Sequence, residues 1–270
     1  MGSDTGTNAL ALLPEILLVA GGLAVLLAGS FLPRTRQRAA HILALVMLFA
    51  SLGATVAAST GIPTFAFSGT YLIDTSTQLV RIVVVGATAL VLLAARGSIA
   101  GSVRESETYA LVLFSAAGTV VVASAGDLLV LAVGFLLASV PLYGLIGMVA
   151  TTRGAEAALK TYLLGALFGI LLLAGVTLLY GVTGTTVYAE LLTTLGEAPP
   201  GVAVVGAAAV LSGLMFKAGA VPAHFWVPDA AQGSSGLVAT FLTTVPKLGA
   251  FVAAFRIVDA LPDAAGATLF

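Results

Sequence analysis

The chain has 270 residues, 59% of them hydrophobic and only 9% charged, with a mean hydropathy of +1.12 and a formal net charge of −1. A soluble domain of this size carries charge on about a quarter of its residues, so composition points to a lipid bilayer as solvent, and the small net charge argues against nucleic acid or a strongly charged partner. The absence of cysteine excludes disulfides, thiolate metal sites and iron–sulfur ligation by this chain.

The opening "MGSDTGTNALALLPE" lacks the basic region of a secretory signal, so the first apolar run is expected to be retained as a helix. "MGSDTG" has some likeness to a myristoylation signal, but a lipid anchor adds nothing to a chain this apolar. Taking roughly 17 apolar residues as the minimum for one crossing, about eight spanning helices are predicted. They lie at 16–32, 42–58, 79–95, 109–125, 128–150, 161–180, 202–216 with a broken continuation, and 237–257. The fourth and fifth are separated only by Gly126 and Asp127, which predicts a tight hairpin with Asp127 capping the fifth helix. No β-barrel alternation is present, and a helical bundle satisfies its backbone internally.

Loop charge sets the expected orientation. Arg34, Arg36 and Arg38 follow the first helix, Arg96 and Arg104 the third, and Arg153 the fifth, whereas the loops after the second and sixth hold no Lys or Arg. The positive-inside rule then puts the odd-numbered exits in the cytoplasm and the N-terminus outside, and the 181–201 loop with Glu190 and Glu197 on the outer side.

Eight of the eleven basic residues are arginines, mostly in loops, while Lys160, Lys217 and Lys247 all fall in or beside apolar segments. Unlike arginine, a desolvated lysine can lose its proton, so an interior lysine can act as a relay; the bland alternative is an ammonium reaching the headgroups. For Lys160, four residues after Glu156, an ion pair at the membrane surface weighs as much as function. Lys217 and Lys247 lie near Pro222 and Pro246, which should bend or break both helices, and irregular backbone at membrane depth is tolerated where it meets protein or a water-filled cavity. Pro228 adds a second interruption and leaves "AVPAHFWVP" as a short piece carrying His224 and Trp226. A hydrogen-bonded structural histidine is the commoner reading of His224, and a proton shuttle gains weight only from the lysines around it. Trp226 reads as a packing or interfacial residue.

The stretch "GLMFKAGAVPAHFWVPDAAQGSSGLVATFLTTVPKLGAF", with Lys217, Pro222, His224, Trp226, Pro228 and Asp229 at their spacing, resembles the seventh and eighth helices of the antiporter-like subunits of respiratory complex I. Within that family, which is related to Mrp-type cation/proton antiporters, the resemblance is nearest to the subunit N branch. "DLLVLAVGFLLASVPLYGLIG" is similar to the family's fifth helix and "AEAALKTYLLGALFGILLLAGVTLLYGVTG" to its sixth. The resemblance implies an all-α integral membrane protein with N-terminal helices one to three in 1–104 and an antiporter-like repeat, helices four to eight with seven and eight broken, in 105–260. It also implies that 261–270 ends the chain with the second inverted repeat absent.

Carried over by position, the family's central lysine falls on Lys217, the lysine passing protons onward on Lys247, a sixth-helix basic position on Lys160, and a half-helix histidine on His224. Glu156, Pro222, Pro246 and Asp229 stand as supporting residues. The family's fifth-helix Glu-Leu-x-Ser-x-Pro pattern reads Leu136-Leu137-Ala138-Ser139-Val140-Pro141 here, so the carboxylate that pairs with the central lysine is replaced by Leu136. The nearest acid before it, Asp127, lies about 13 Å away along the helix axis, and the charged form of Lys217 is expected to be disfavoured.

The implied function is proton translocation in an NADH-quinone oxidoreductase assembly of the inner (cytoplasmic) membrane, beside other membrane subunits. This chain would hold no cofactor, and NADH, FMN, iron–sulfur clusters and quinone would belong to partner subunits. An Mrp-type antiporter subunit, or a non-conducting paralogue as Leu136 suggests, remain the alternatives.

Overall fold

The computed structural model describes residues 9–33, 36–58, 64–94 and 96–260. Residues 1–8, Arg34, Ala95 at the predicted end of the third helix, and 261–270 lie outside the described residues. A 3₁₀ turn, Ala9–Leu12, leads into α1 (Leu13–Phe31), followed by α2 (Arg38–Ala58), the strands β1 (Thr64–Ala66) and β2 (Tyr71–Ile73), and α3 (Thr75–Ala94). Then come α4 (Arg96–Ile99), α5 (Glu105–Ser124), α6 (Leu128–Gly147), α7 (Thr152–Thr183), α8 (Tyr188–Thr194), α9 (Pro200–Ala218), α10 (Trp226–Gly233) and α11 (Gly236–Asp259). Eight helices among the described residues are long and apolar enough to cross a membrane: α1, α2, α3, α5, α6, α7, α9 and α11.

The ends of these helices follow from local chemistry. Pro14 and Pro200 stand in the first turns of α1 and α9, where a missing N–H costs nothing. Thr151 and Ser235 cap α7 and α11, accepting from the Gly154 and Val238 N–H groups. Asp127 caps α6 as its position predicts, accepting from Leu129 at 2.7 Å and Val130 at 3.1 Å. Gly184 ends α7 in the left-handed region at φ 72°. At 32 residues α7 is about 48 Å long, well beyond a hydrocarbon core of roughly 30 Å, so it extends past the predicted 161–180 at both ends.

The tight α5–α6 hairpin forms the centre of the bundle, with α1, α3 and α11 also packed on α5. A Cβ on Gly118 would meet the Ala138 backbone nitrogen at 2.2 Å, so only glycine allows this approach, and the Ser115 hydroxyl donates to the Ala138 carbonyl across it at 2.8 Å.

One expectation is corrected. Helix seven breaks: α9 stops at Ala218 and the chain resumes as α10. Helix eight does not, because α11 runs uninterrupted from Gly236 to Asp259 with Pro246 inside it. A proline removes one backbone bond, but Leu242, Val245, Pro246 and Gly249 are all buried against the bundle, and that packing holds the helix on both sides. The antiparallel β1–β2 hairpin, paired Thr64 to Ile73 and Ala66 to Tyr71, and the short α8 are additions that hydropathy does not register.

Candidate functional site

Lys217 occupies the last turn of α9 and is 3% exposed. Its Nζ donates to Ser139 Oγ on α6 at 2.8 Å and lies 5.6 Å from the centre of the Phe135 ring, one turn away on the same helix. Ser139 is the twelfth residue of α6, about 17 Å from its start and about 12 Å from its end, so the amine sits at mid-depth of a crossing helix. A hydroxyl serves both protonation states, since it accepts from an ammonium and donates to a neutral amine, and the ring face favours the cation. Among the described residues no carboxylate pairs with Lys217. Leu136, at the family's carboxylate position, is 49% exposed, three residues short of the serine that the amine contacts.

The broken end of α9 is closed by its own neighbours. Gly219 adopts φ 69°, ψ 35°, its N–H reaches the Phe216 carbonyl at 3.0 Å, and the Ala220 N–H reaches Met215 at 2.9 Å. The Trp226 indole donates to the same Phe216 carbonyl at 3.0 Å, and the Phe216 ring stacks on Phe168 and packs on Trp226 at a tilt of 32°. Trp226 is therefore a buried packing residue that gives the Phe216 carbonyl a second donor beside the Gly219 N–H. Pro222 follows a cis peptide bond in the connecting turn.

Lys247 comes to this same end from α11. A Cβ on Gly219 would lie 2.7 Å from Lys247 Nζ, so the ammonium fills the space that a side chain there would take. It faces the C-terminus of α9, where the helix dipole favours a cation. Two lysines thus converge on one helix break, one through its position on α9 and the other through the glycine.

The other predicted residues lie apart from this pair. Lys160 is half exposed and bridges Glu156 at 2.7 Å and Asp229 at 3.1 Å, which ties α7 to α10. With Arg153 and Gln232 these residues line a shallow depression of about 200 Å³. His224 is exposed, with its ring 6.1 Å from that of Phe225. The turn after α9 directs it outward while it turns Trp226 inward. Among the described residues no group of three or more His, Cys, Asp or Glu side chains is arranged to hold a metal.

Two ion pairs escaped the reading of the sequence. Arg81, fully buried in α3, bonds both carboxylate oxygens of Glu15 in α1 at 2.7 and 2.9 Å, and Tyr71 from β2 donates to Glu15 at 2.8 Å. Burial and then the Glu15 charge push the Tyr71 phenol well above its ordinary range. Arg256 near the end of α11 grips Asp74 with two hydrogen bonds, at 2.7 and 2.9 Å, and donates to the Ala123 carbonyl. Burial opposes ionisation of Asp74, but the guanidinium bonds and charge prevail and hold its carboxyl below its ordinary value. A charged residue inside each of two apolar runs was the available signal, since such residues seek each other in a bundle.

Residues 125–268 match the family described as NADH:quinone oxidoreductase/Mrp antiporter, transmembrane. Over 263 residues the chain is 48% identical to NADH-quinone oxidoreductase subunit N of Mycobacterium sp. (strain JLS), covering 97% of this chain and 56% of that protein. Among solved structures it resembles a chain of respiratory complex I from Thermus thermophilus with bound aureothin, at a TM-score of 0.78 and 33% identity, covering 91% of this chain and 53% of the other. It also resembles a chain of the Mrp complex from Dietzia sp. DQ12-45-1b, at a TM-score of 0.73 and 27% identity, covering 92% of this chain and 48% of the other. The chain spans about half the length of the relatives it matches.

Proposed function

The chain belongs to the NADH:quinone oxidoreductase/Mrp antiporter transmembrane family, and on that premise we propose that it works in proton translocation within a complex I type assembly. The observation that carries this reading is the convergence of Lys217 and Lys247 on the broken end of α9. Lys217 exchanges its proton beside the Ser139 hydroxyl at mid-depth, and a charge on either lysine disfavours a charge on the other. The proton thereby moves from α9 toward α11. This chain's part is to hold and pass protons within the inner membrane, while NADH, FMN, iron–sulfur clusters and quinone belong to partner subunits. The 48% identity to a subunit N, against 27% to a chain of an Mrp complex, favours this over an antiporter working without redox partners.

In the assembled complex, Lys217→Met is expected to leave assembly and NADH–quinone electron transfer in place while proton pumping into membrane vesicles falls severalfold, since Met fills similar space and cannot titrate. Normal pumping with defective assembly would remove Lys217 from the mechanism. The loop charges support an orientation with the N-terminus outside and the loops with Arg36, Arg104 and Arg153 in the cytoplasm, since the loops after the second and sixth spans lack Lys and Arg.

A further inference from the structure

Below the connection between α4 and α5 lies a cavity of about 440 Å³, walled by the start of α5, the end of α6 and the start of α11. Thr108, Met148 and Val238, which line it, each lie within a few residues of a span terminus, so the cavity opens at the level of the membrane surface. Its lining divides by chemistry, with Arg104, Ser102 and Ser235 bringing polar groups and Ile99, Met148 and Val238 giving apolar walls. The lysine pair takes no part in it.

Charge at the rim is uncompensated. Glu105, the acid next to Arg104, is buried and turned away, accepting from the Gly101 N–H at 2.7 Å and the Tyr109 hydroxyl at 3.1 Å. Among the described residues no carboxylate pairs with Arg104, although it is the residue that opens α5, and its side chain makes no capping bond. The start of α11 adds the positive end of a helix dipole on the same side. A guanidinium with hydroxyls above an apolar slot at headgroup level matches a phosphate ester carried on an acyl chain, and basic pockets between membrane helices bind anionic headgroups.

We propose that this cavity binds the phosphate of an anionic phospholipid, with Arg104 and the serine hydroxyls on the headgroup and Ile99, Met148 and Val238 along the first acyl carbons. The test is native mass spectrometry of the purified full chain equilibrated in detergent with equal phosphatidylglycerol and phosphatidylcholine. The wild type should retain phosphatidylglycerol preferentially. Arg104→Gln should lower that preference about fivefold, the scale for one basic residue at a membrane surface, and Ser102→Leu, which crowds the rim on an exposed loop, should lower it as well. Arg36→Gln, which alters an exposed arginine of another loop, should leave it unchanged. An equal loss from Arg36→Gln, or a wild type without preference, would overturn the site. Release of the lipid by millimolar inorganic phosphate would overturn the lipid as the source and leave free phosphate as the ligand.

Discussion

Gly219→Ala attacks the helix break through two separable terms. At φ 69° an alanine occupies the left-handed region, which costs about 1–2 kcal/mol. The new Cβ would also meet Lys247 Nζ at 2.7 Å and Val227 Cγ2 at 2.8 Å, so the ammonium must leave the end of α9 and forfeit about 0.3–1 kcal/mol of helix-dipole attraction. Together these destabilise the bundle by about 1–3 kcal/mol, beyond whatever the Val227 contact adds. Strain at Gly219 and the Val227 contact persist whatever stands at 247, whereas the Lys247 contact vanishes in Lys247→Ala. Gly219→Ala should therefore cost less in the Lys247→Ala background, with a coupling of about 0.3–1 kcal/mol, read from unfolding in mixed detergent and dodecyl sulfate micelles. Proton pumping in the assembled complex should fall with Gly219→Ala alone. Strictly additive stabilities would show that the Lys247 ammonium does not occupy the space beside Gly219, and the convergence of the two lysines would fail with it.

Glu15→Gln leaves Arg81 buried without its counter-charge and should cost about 3–5 kcal/mol in the same micelles, while Glu15→Gln with Arg81→Met should recover much of that loss; equal costs for the single and double variants would refute the buried pair. Asp74 has a folded pKa held below its unfolded value, so its contribution to stability is complete above roughly pH 4, near the unfolded value, and is lost as pH falls through the lower folded value. Asp74→Asn should flatten that acid limb, and an unchanged pH profile would mean that Arg256 does not hold the carboxylate. For orientation, Arg36→Cys and Glu190→Cys, both at exposed positions, should react with an impermeant maleimide from opposite faces of the membrane. Gln37 is the poorer probe, because it is buried and donates to the Gly29 and Leu32 carbonyls.

The sequence by itself determined the spans, the α5–α6 hairpin with its Asp127 cap, and the break after Lys217, because each depends on chain-local quantities. Twenty apolar residues must close their own backbone bonds in hydrocarbon, an aspartate beside free N–H groups caps them, and a proline that cannot donate breaks a helix. Pro246 shows where local rules stop: the same residue that breaks isolated helices sits inside an unbroken α11, since burial against the bundle outweighs one missing bond. The candidate site divides in the same way. Lys217 and Lys247 stand out in sequence as basic residues in apolar runs. Only the tertiary structure brought Ser139 to Lys217 across 78 residues, placed Lys247 in the space left by Gly219, turned His224 outward and joined Glu15 to Arg81 across 66. Periodicity and composition fix which face of a helix is buried, but which partner that face meets depends on the crossing of helices far apart in the chain, and a buried charge is satisfied only by the partner that crossing supplies.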